Sequence, residues 1–103
     1  MKIEYKSNRL KRACTDFSVA KRDYGVNMAN LIHQRVNEIS SADSVEMLCR
    51  FSIGKCHPLE GNRTGQYAMN LVQPYRLVFE KICIEEEGRN IEIVRILSIE
   101  NYH

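Results

Sequence analysis

Two histidines and one arginine are the side chains of this sequence that could move protons and hold an anion. His57 lies in a segment rich in turn-forming residues, Arg76 opens an apolar run, and His103 is the final residue. An imidazole can serve as acid or base near neutral pH. A guanidinium can stabilise charge on phosphate oxygens. A set of this kind has the groups that cleavage of RNA would use, in which the 2′-hydroxyl attacks the phosphate, one histidine removes a proton and the other supplies one.

Three further residues are candidates for the same site. Lys55 and Arg63 flank His57 and could bind phosphate, and Tyr102 could stack on a base or donate to phosphate. Each also has a plainer explanation. An arginine in a strand commonly forms a cross-strand ion pair, which applies to Arg76 as well, and Tyr102 could simply anchor the end of the chain.

Residues 55–67 separate a half of the sequence that reads as helical from a half that reads as strands. Pro58 restricts His57 to extended geometry, and Gly61 and Gly65 permit tight turns. Loops held between rigid elements often carry functional groups. We therefore expect His57 to be held on a stiff, exposed bend.

The first half predicts a short strand over residues 3–5, one helix or two short ones ending at Tyr24-Gly25, and then the main core helix from 26 to about 40. Apolar residues repeat at three and four in this last helix: Met28, Ile32, Val36 and Ile39. A further helical turn is expected near Ser44. His33 falls on the polar face, so we expect it to face solvent or a partner.

The second half alternates in twos over residues 67–71, 76–84 and 91–99, which is typical of strands. The predicted fold is α+β, with N-terminal helices packed on one face of a small twisted antiparallel sheet of about four strands. A chain of 103 residues supports one domain, spanning 1–103.

Charge and cysteine usage limit the possible partners. The net charge is +2, and the basic excess is densest in residues 2–12, which would suit a polyanion or could be a solvated helix face. The cysteines form no C-x-x-C pair and no apolar leader or membrane-crossing run is present, so we expect reduced thiols in a cytoplasmic protein without a membrane partner. Cys49, Cys56 and His57 do not match a usual zinc spacing, and we predict no metal or cofactor.

Three segments together resemble a known family. They are Cys56-His57-Pro58-Leu59 with Gly61, Arg63, Gly65, Gln66 and Tyr67; Pro74-Tyr75-Arg76-Leu77-Val78-Phe79; and Asn101-Tyr102-His103. In order and spacing, the sequence resembles the HigB-like branch of the RelE/ParE superfamily of toxins, over nearly its whole length. The resemblance implies helices on a twisted antiparallel sheet, metal-independent cutting of mRNA at the ribosomal decoding site, and control by a cognate, HigA-like antitoxin. It also places the family's histidines at His57 and His103.

The sequence departs from the family pattern at two positions. Asn101 stands where an acidic residue usually precedes the terminal Tyr-His, and Glu60 stands where a basic residue usually follows His-Pro-Leu. Asn101 can hydrogen-bond an imidazole or substrate but cannot take a proton. Glu60 adds negative charge to a loop expected to meet phosphate. Both changes predict a weakened nuclease, a reorganised site or another target.

Two other functions remain open at this point. A ParE-like inhibitor of DNA gyrase would act by binding and would need neither histidine, and a non-catalytic member could bind RNA alone. An antitoxin is expected for both the nuclease and the gyrase inhibitor, on the surface formed by residues 7–38.

Overall fold

The computed structural model describes residues 1–102, and within them four α-helices pack on a five-stranded sheet. The predicted α+β fold is therefore confirmed. In chain order the elements are β1 (Lys2–Tyr5), α1 (Asn8–Thr15), α2 (Phe17–Tyr24), α3 (Val26–Ser41), α4 (Val45–Arg50), β2 (His57–Pro58), β3 (Gln66–Asn70), β4 (Tyr75–Glu86) and β5 (Arg89–Asn101), with short 3-10 turns at Ile53–Lys55 and Gly61–Arg63.

Local hydrogen bonds fix where the helices begin. The side chains of Ser7, Asp16 and Ser44 accept hydrogen bonds from the backbone N–H groups of Leu10, Ser18 and Met47, which caps α1, α2 and α4. Gly25 has a φ of 88° between α2 and α3, a conformation that favours glycine. None of the helices within residues 1–102 has both the length and the apolar character needed to cross a membrane.

The sheet has one more strand than the sequence indicated, and it is mixed. Its order is β1-β5-β4-β3-β2, with β1 parallel to β5 and the other neighbours antiparallel. The additional strand, β2, has only two residues, which is too short for alternation to reveal it. The helices α1 to α4 lie between β1 and the remaining strands in sequence, and a long connection of this kind allows β1 to lie parallel to β5.

The core lies between the helices and one face of the sheet. Leu77 and Phe79 of β4 pack there with Met69 of β3, Ile96 of β5 and Ile32 of α3, and all five are fully buried. The ring of Phe79 also stacks on that of Tyr67, its cross-strand partner, with centroids 5.5 Å apart. The opposite face of the sheet, which we call the open face, carries no α-helix of residues 1–102, although Ala68 and Val78 are buried on it.

A β-bulge in β5 decides which of its side chains reach the open face. Val78 pairs with Ser98 and Phe79 with Ile96, so Leu97 is the extra residue. Side chains alternate along a strand, and without the bulge Ser98 and Glu100 would share the buried face of Ile96. The bulge instead turns both of them to the open face and turns Ile99 towards the core.

Removing the ring of Phe79 should destabilise the fold strongly, since it is fully buried and contacts both layers. We expect Phe79→Ala to lower the free energy of unfolding by about 3–5 kcal/mol. Phe51→Ala is the matched control, because Phe51 is 63% exposed, and it should cost less than about 1 kcal/mol. Urea unfolding followed by circular dichroism measures both, and equal losses would contradict this account of the core.

Candidate functional site

Register and alternation bring polar residues from four strands together on the open face. Arg76 of β4 lies between Asn70 of β3 and Glu100 of β5. Side chains alternate along β4, so Leu77 points to the core while Arg76 and Val78 point to the open face. The site is thus built on the centre of the sheet and on the turn at Gly61–Arg63.

Glu100 is the centre of this group because two arginines donate hydrogen bonds to its carboxylate. Arg63 donates from Nη1 to Oε1 at 2.7 Å and from Nη2 to Oε2 at 3.2 Å. Arg76 donates from Nε and Nη2 to Oε1 at 3.1 and 2.9 Å. The Ser98 hydroxyl donates to Oε2 at 2.8 Å. Since Gln66 Oε1 also accepts from Arg63 Nε at 3.0 Å, Arg63 is oriented from two sides.

These contacts change the acidity of the groups involved. The hydrogen bonds from Arg63, and then those from Arg76 and Ser98, lower the pKa of Glu100 from 4.5 to about 2, although partial burial acts in the opposite direction. The same hydrogen bonding raises the pKa of Arg63. Glu100 is therefore ionised at neutral pH, and the cluster of two guanidinium groups and one carboxylate keeps one net positive charge.

Tyr102 contacts the other side of Arg76. The guanidinium carbon of Arg76 lies 4.6 Å from the centroid of the Tyr102 ring, a cation–π contact. The hydroxyl of Tyr102 donates to Gln73 Oε1 at 3.2 Å, and its backbone N–H donates to Pro74 O at 3.3 Å. Tyr102 is therefore anchored at both ends, yet 43% of it is exposed.

His57 lies on the same face of the sheet as the cluster. Residues directly opposite each other on neighbouring strands share a face of the sheet. Across the strands from β2 to β5, His57 is opposite Ala68, Ala68 is opposite Val78, and Val78 is opposite Ser98. Two strand spacings separate the β2 and β4 backbones, about 10 Å. The His57 side chain is exposed, so RNA spanning this distance could contact both His57 and the arginines.

A backbone contact sets the tautomer of His57. Its Nδ1 lies 2.9 Å from the carbonyl oxygen of Lys55. A carbonyl can only accept, so Nδ1 carries the proton and the neutral ring has Nε2 as its acceptor. Nε2 is thus the atom of His57 that can take a proton from a substrate. Lys55 has a φ of 54°, and this left-handed turn directs its carbonyl towards the ring.

Not all of the sequence candidates meet at this cluster. Asn101 pairs with Tyr75, which packs against the core, so alternation places Asn101 on the helix side of β5 and away from Glu100. Glu60 is exposed, and its carbonyl accepts from the backbone N–H of Arg63 at 3.3 Å. His103 lies outside the described residues.

Sequence reasoning missed Glu100, although one signal for it existed. The plainer explanation for an arginine at the start of β4 was a cross-strand ion pair, and Glu100 is that partner. Finding it required the register of β4 against β5, including the bulge. Among residues 1–102, no group of three His, Cys, Asp or Glu side chains is arranged to hold a metal ion.

The architecture thus places the helices on one face of the sheet and the charged cluster on the other. The structure is similar to that of a YoeB/ParE toxin from Agrobacterium tumefaciens, with a TM-score of 0.63, 14% sequence identity and coverage of 100% of both chains. At this level of identity the similarity establishes the fold alone. No protein-family model and no curated protein matches the sequence.

Neutralising Glu100 should weaken the fold in a pH-dependent way. Its folded pKa is lowered, so it contributes stability above its ordinary pKa of 4.5 and loses that contribution as pH falls towards 2. We expect Glu100→Gln to cost about 1–2 kcal/mol at neutral pH, less than the full pKa shift implies because solvent screens this partly exposed cluster. The difference from wild type should shrink on acidification in urea unfolding.

The control for this prediction is Glu46→Gln. Glu46 forms an ion pair with Arg50 one helical turn away, but its side chain is 77% exposed, so the variant should stay within about 0.5 kcal/mol of wild type at every pH. A Glu100→Gln variant whose loss of stability did not vary with pH would contradict the assigned role of the carboxylate.

Proposed function

We propose that this chain is the toxin of a type II toxin–antitoxin system and a ribosome-dependent endonuclease of mRNA. The proposal is supported by the toxin fold and, above all, by one observation: His57, Arg63 and Arg76 share the open face with an exposed aromatic ring, Tyr102. They supply a proton acceptor, positive charge and a stacking surface, which are three of the features that a metal-independent RNA-cleaving site uses.

In the proposed mechanism the RNA supplies its own nucleophile. Nε2 of His57 removes the proton of the 2′-hydroxyl, which attacks the neighbouring phosphate. Arg76 and Arg63 stabilise the charge that develops on the phosphate oxygens, aided by the net positive charge of their cluster with Glu100. His103 is proposed to protonate the departing 5′-oxygen, and the sequence alone supports this assignment. The two proton-transfer roles can also be exchanged between the histidines.

The exposure of the site provides a reason for the proposed dependence on the ribosome. His57 and Tyr102 lie on an open sheet face rather than in an enclosed cleft. Such a surface can contact RNA but holds only part of it, and an effective reaction needs the 2′-hydroxyl in line with the phosphate. A message already held by the ribosome meets this requirement.

A second candidate function rests on the ion pairs of the cluster. Both arginines already bind Glu100, which reduces the charge available to a phosphate. This favours a toxin that acts by binding, such as a ParE-like inhibitor of DNA gyrase, or a non-catalytic RNA-binding member of the fold. Neither would depend on His57 or His103.

A HigA-like antitoxin is the proposed partner protein. Its proposed surface covers residues 7–38, where exposed apolar side chains lie among arginines. Phe17, Tyr24 and Val26 are 39, 37 and 49% exposed, and Arg9, Arg12 and Arg22 line a neighbouring hollow. An amphipathic segment with acidic residues would complement this surface.

The nuclease proposal predicts loss of cleavage on changing His57. We expect His57→Gln to reduce cleavage of ribosome-bound mRNA at least about 100-fold, since it removes a proton acceptor. Arg76→Lys should also reduce cleavage, because a single ammonium cannot replace the guanidinium fork. Mapping of 5′ ends on purified ribosomes carrying a defined message measures both.

His33→Gln is the control, since His33 lies in the helix layer with Nε2 3.2 Å from Ala13 O, and it should cleave as wild type does. Cleavage that survives His57→Gln would refute the mechanism. Double-strand DNA breaks with intact message would support gyrase inhibition instead.

The antitoxin proposal predicts a local loss of affinity. Val26→Asp places a negative charge on the surface proposed to meet an acidic segment, and we expect antitoxin binding to weaken at least about tenfold. Val72→Asp is the matched control, because Val72 is 36% exposed in the turn before β4, and it should bind normally. Calorimetry with the co-purified antitoxin measures both, and equal affinities would place the interface elsewhere.

A further inference from the structure

Two of the four free cysteines meet beside the proposed site. The sulfur atoms of Cys49, in the last turn of α4, and Cys56, just before β2, are 3.7 Å apart. Cys56 is buried and Cys49 is half-buried. The other two thiols differ, because Cys14 lies in the core and Cys83 is exposed on β4. Cys49 and Cys56 therefore differ from the other two cysteines in having their sulfur atoms in contact.

The backbone between the two cysteines is built to bring them together. Ser52, Gly54 and Lys55 all have positive φ values, of 50, 57 and 54°. The N–H of Ser52 donates to Cys49 O, and the N–H of Cys56 donates to Ile53 O, which closes the turn at both ends. Non-glycine residues adopt this conformation only when surrounding contacts hold them there. The approach of the sulfur atoms is therefore fixed by the fold.

We propose that Cys49 and Cys56 are a redox-sensitive dithiol that closes to an intramolecular disulfide and thereby controls the position of His57. A disulfide bond is about 2 Å long, so the sulfur atoms must approach by about 1.7 Å from their present distance. The existence of the disulfide is independent of the function proposed above. Its consequence for catalysis rests on that function.

The co-reactant is a low-molecular-weight disulfide of the glutathione type. The Cys49 thiolate, which is the more accessible, attacks one sulfur of the small disulfide, forms a mixed disulfide and releases one small thiol. The Cys56 thiol then loses its proton and attacks the Cys49 sulfur, which releases the second small thiol. Two protein thiols are oxidised and one small disulfide is reduced to two thiols. Burial raises the pKa of Cys56, so closure should accelerate with rising pH.

The disulfide would act on His57 through the backbone next to it. His57 follows Cys56 directly, and its Nδ1 contacts the carbonyl of Lys55 in the same turn. On the other side the turn has little room, because a Cβ at Gly54 would come within 2.7 Å of Arg35 Nε. Closure draws the Cys56 sulfur towards Cys49, and we expect the adjoining residues 55–57 to move with it, which weakens the contact that fixes the tautomer of His57.

The test uses the full chain with Cys83→Ser, which removes the exposed thiol. Incubation with oxidised glutathione should lower the number of thiols titrated in denaturant from three to one, with no retained glutathione and a peptide map linking Cys49 to Cys56. The melting temperature should rise by at least about 5 °C. Cys49→Ser in the same background should form no intramolecular link. A stable glutathione adduct on Cys49, or three persistent thiols, overturns the proposal.

The effect on His57 is measured in the oxidised and reduced protein. We expect a shifted His57 ring signal in NMR spectra and mRNA cleavage at least about fivefold slower in the oxidised form, restored by dithiothreitol. Oxidation that leaves the His57 signal and the cleavage rate unchanged overturns the control of His57. If the reduced protein does not cleave mRNA, the proposed function fails, whereas the thiol count and the NMR shift still decide the dithiol proposal.

Discussion

The carboxylate of Glu100 is the contact on which the candidate site depends. It binds one guanidinium from the turn before β3 and another from the start of β4, and these side chains would repel each other without it. Long, flexible arginines lose considerable conformational freedom when they are ordered, and several simultaneous hydrogen bonds offset that loss. The result is a fixed pair of arginines with one net positive charge. This arrangement is suited to an anion but is weaker than two unpaired cations.

The bulge at Leu97 makes this contact possible, and it also marks the limit of prediction from sequence. The spacing of apolar residues correctly indicated the main core helix and the strands over residues 67–71, 76–84 and 91–99, because burial imposes those periods on the sequence. It could not reveal that the phase of β5 changes between Ile96 and Ser98. Alternation counted from Ile96 would have assigned Glu100 to the buried face. The most important carboxylate was therefore the one that the pattern hid.

Among the candidate site residues, local backbone geometry could be predicted from the sequence, whereas contacts between distant residues could not. Pro58 correctly indicated extended backbone at His57, and the residue is exposed, but it lies in the short strand β2 and not in a bend. Arg63 and Arg76 were found by their chemistry, but their common partner lies 37 positions from Arg63 and 24 from Arg76. Contacts over such separations depend on strand register, which is a property of the whole sheet. Asn101 was misleading for a related reason, because adjacent residues of a strand face opposite sides.

The position of β5 in the sheet has a consequence for synthesis of the chain. β5 is the last strand in sequence, yet it lies between β1 and β4, and β1 has no other neighbour within the described residues. During translation the helices and the other strands leave the ribosome first, but the sheet cannot be completed until residues 89–101 emerge. Arg63 and Arg76 have no common counterion until then. A chain built in this way cannot assemble its charged cluster until residues 89–101 have been translated.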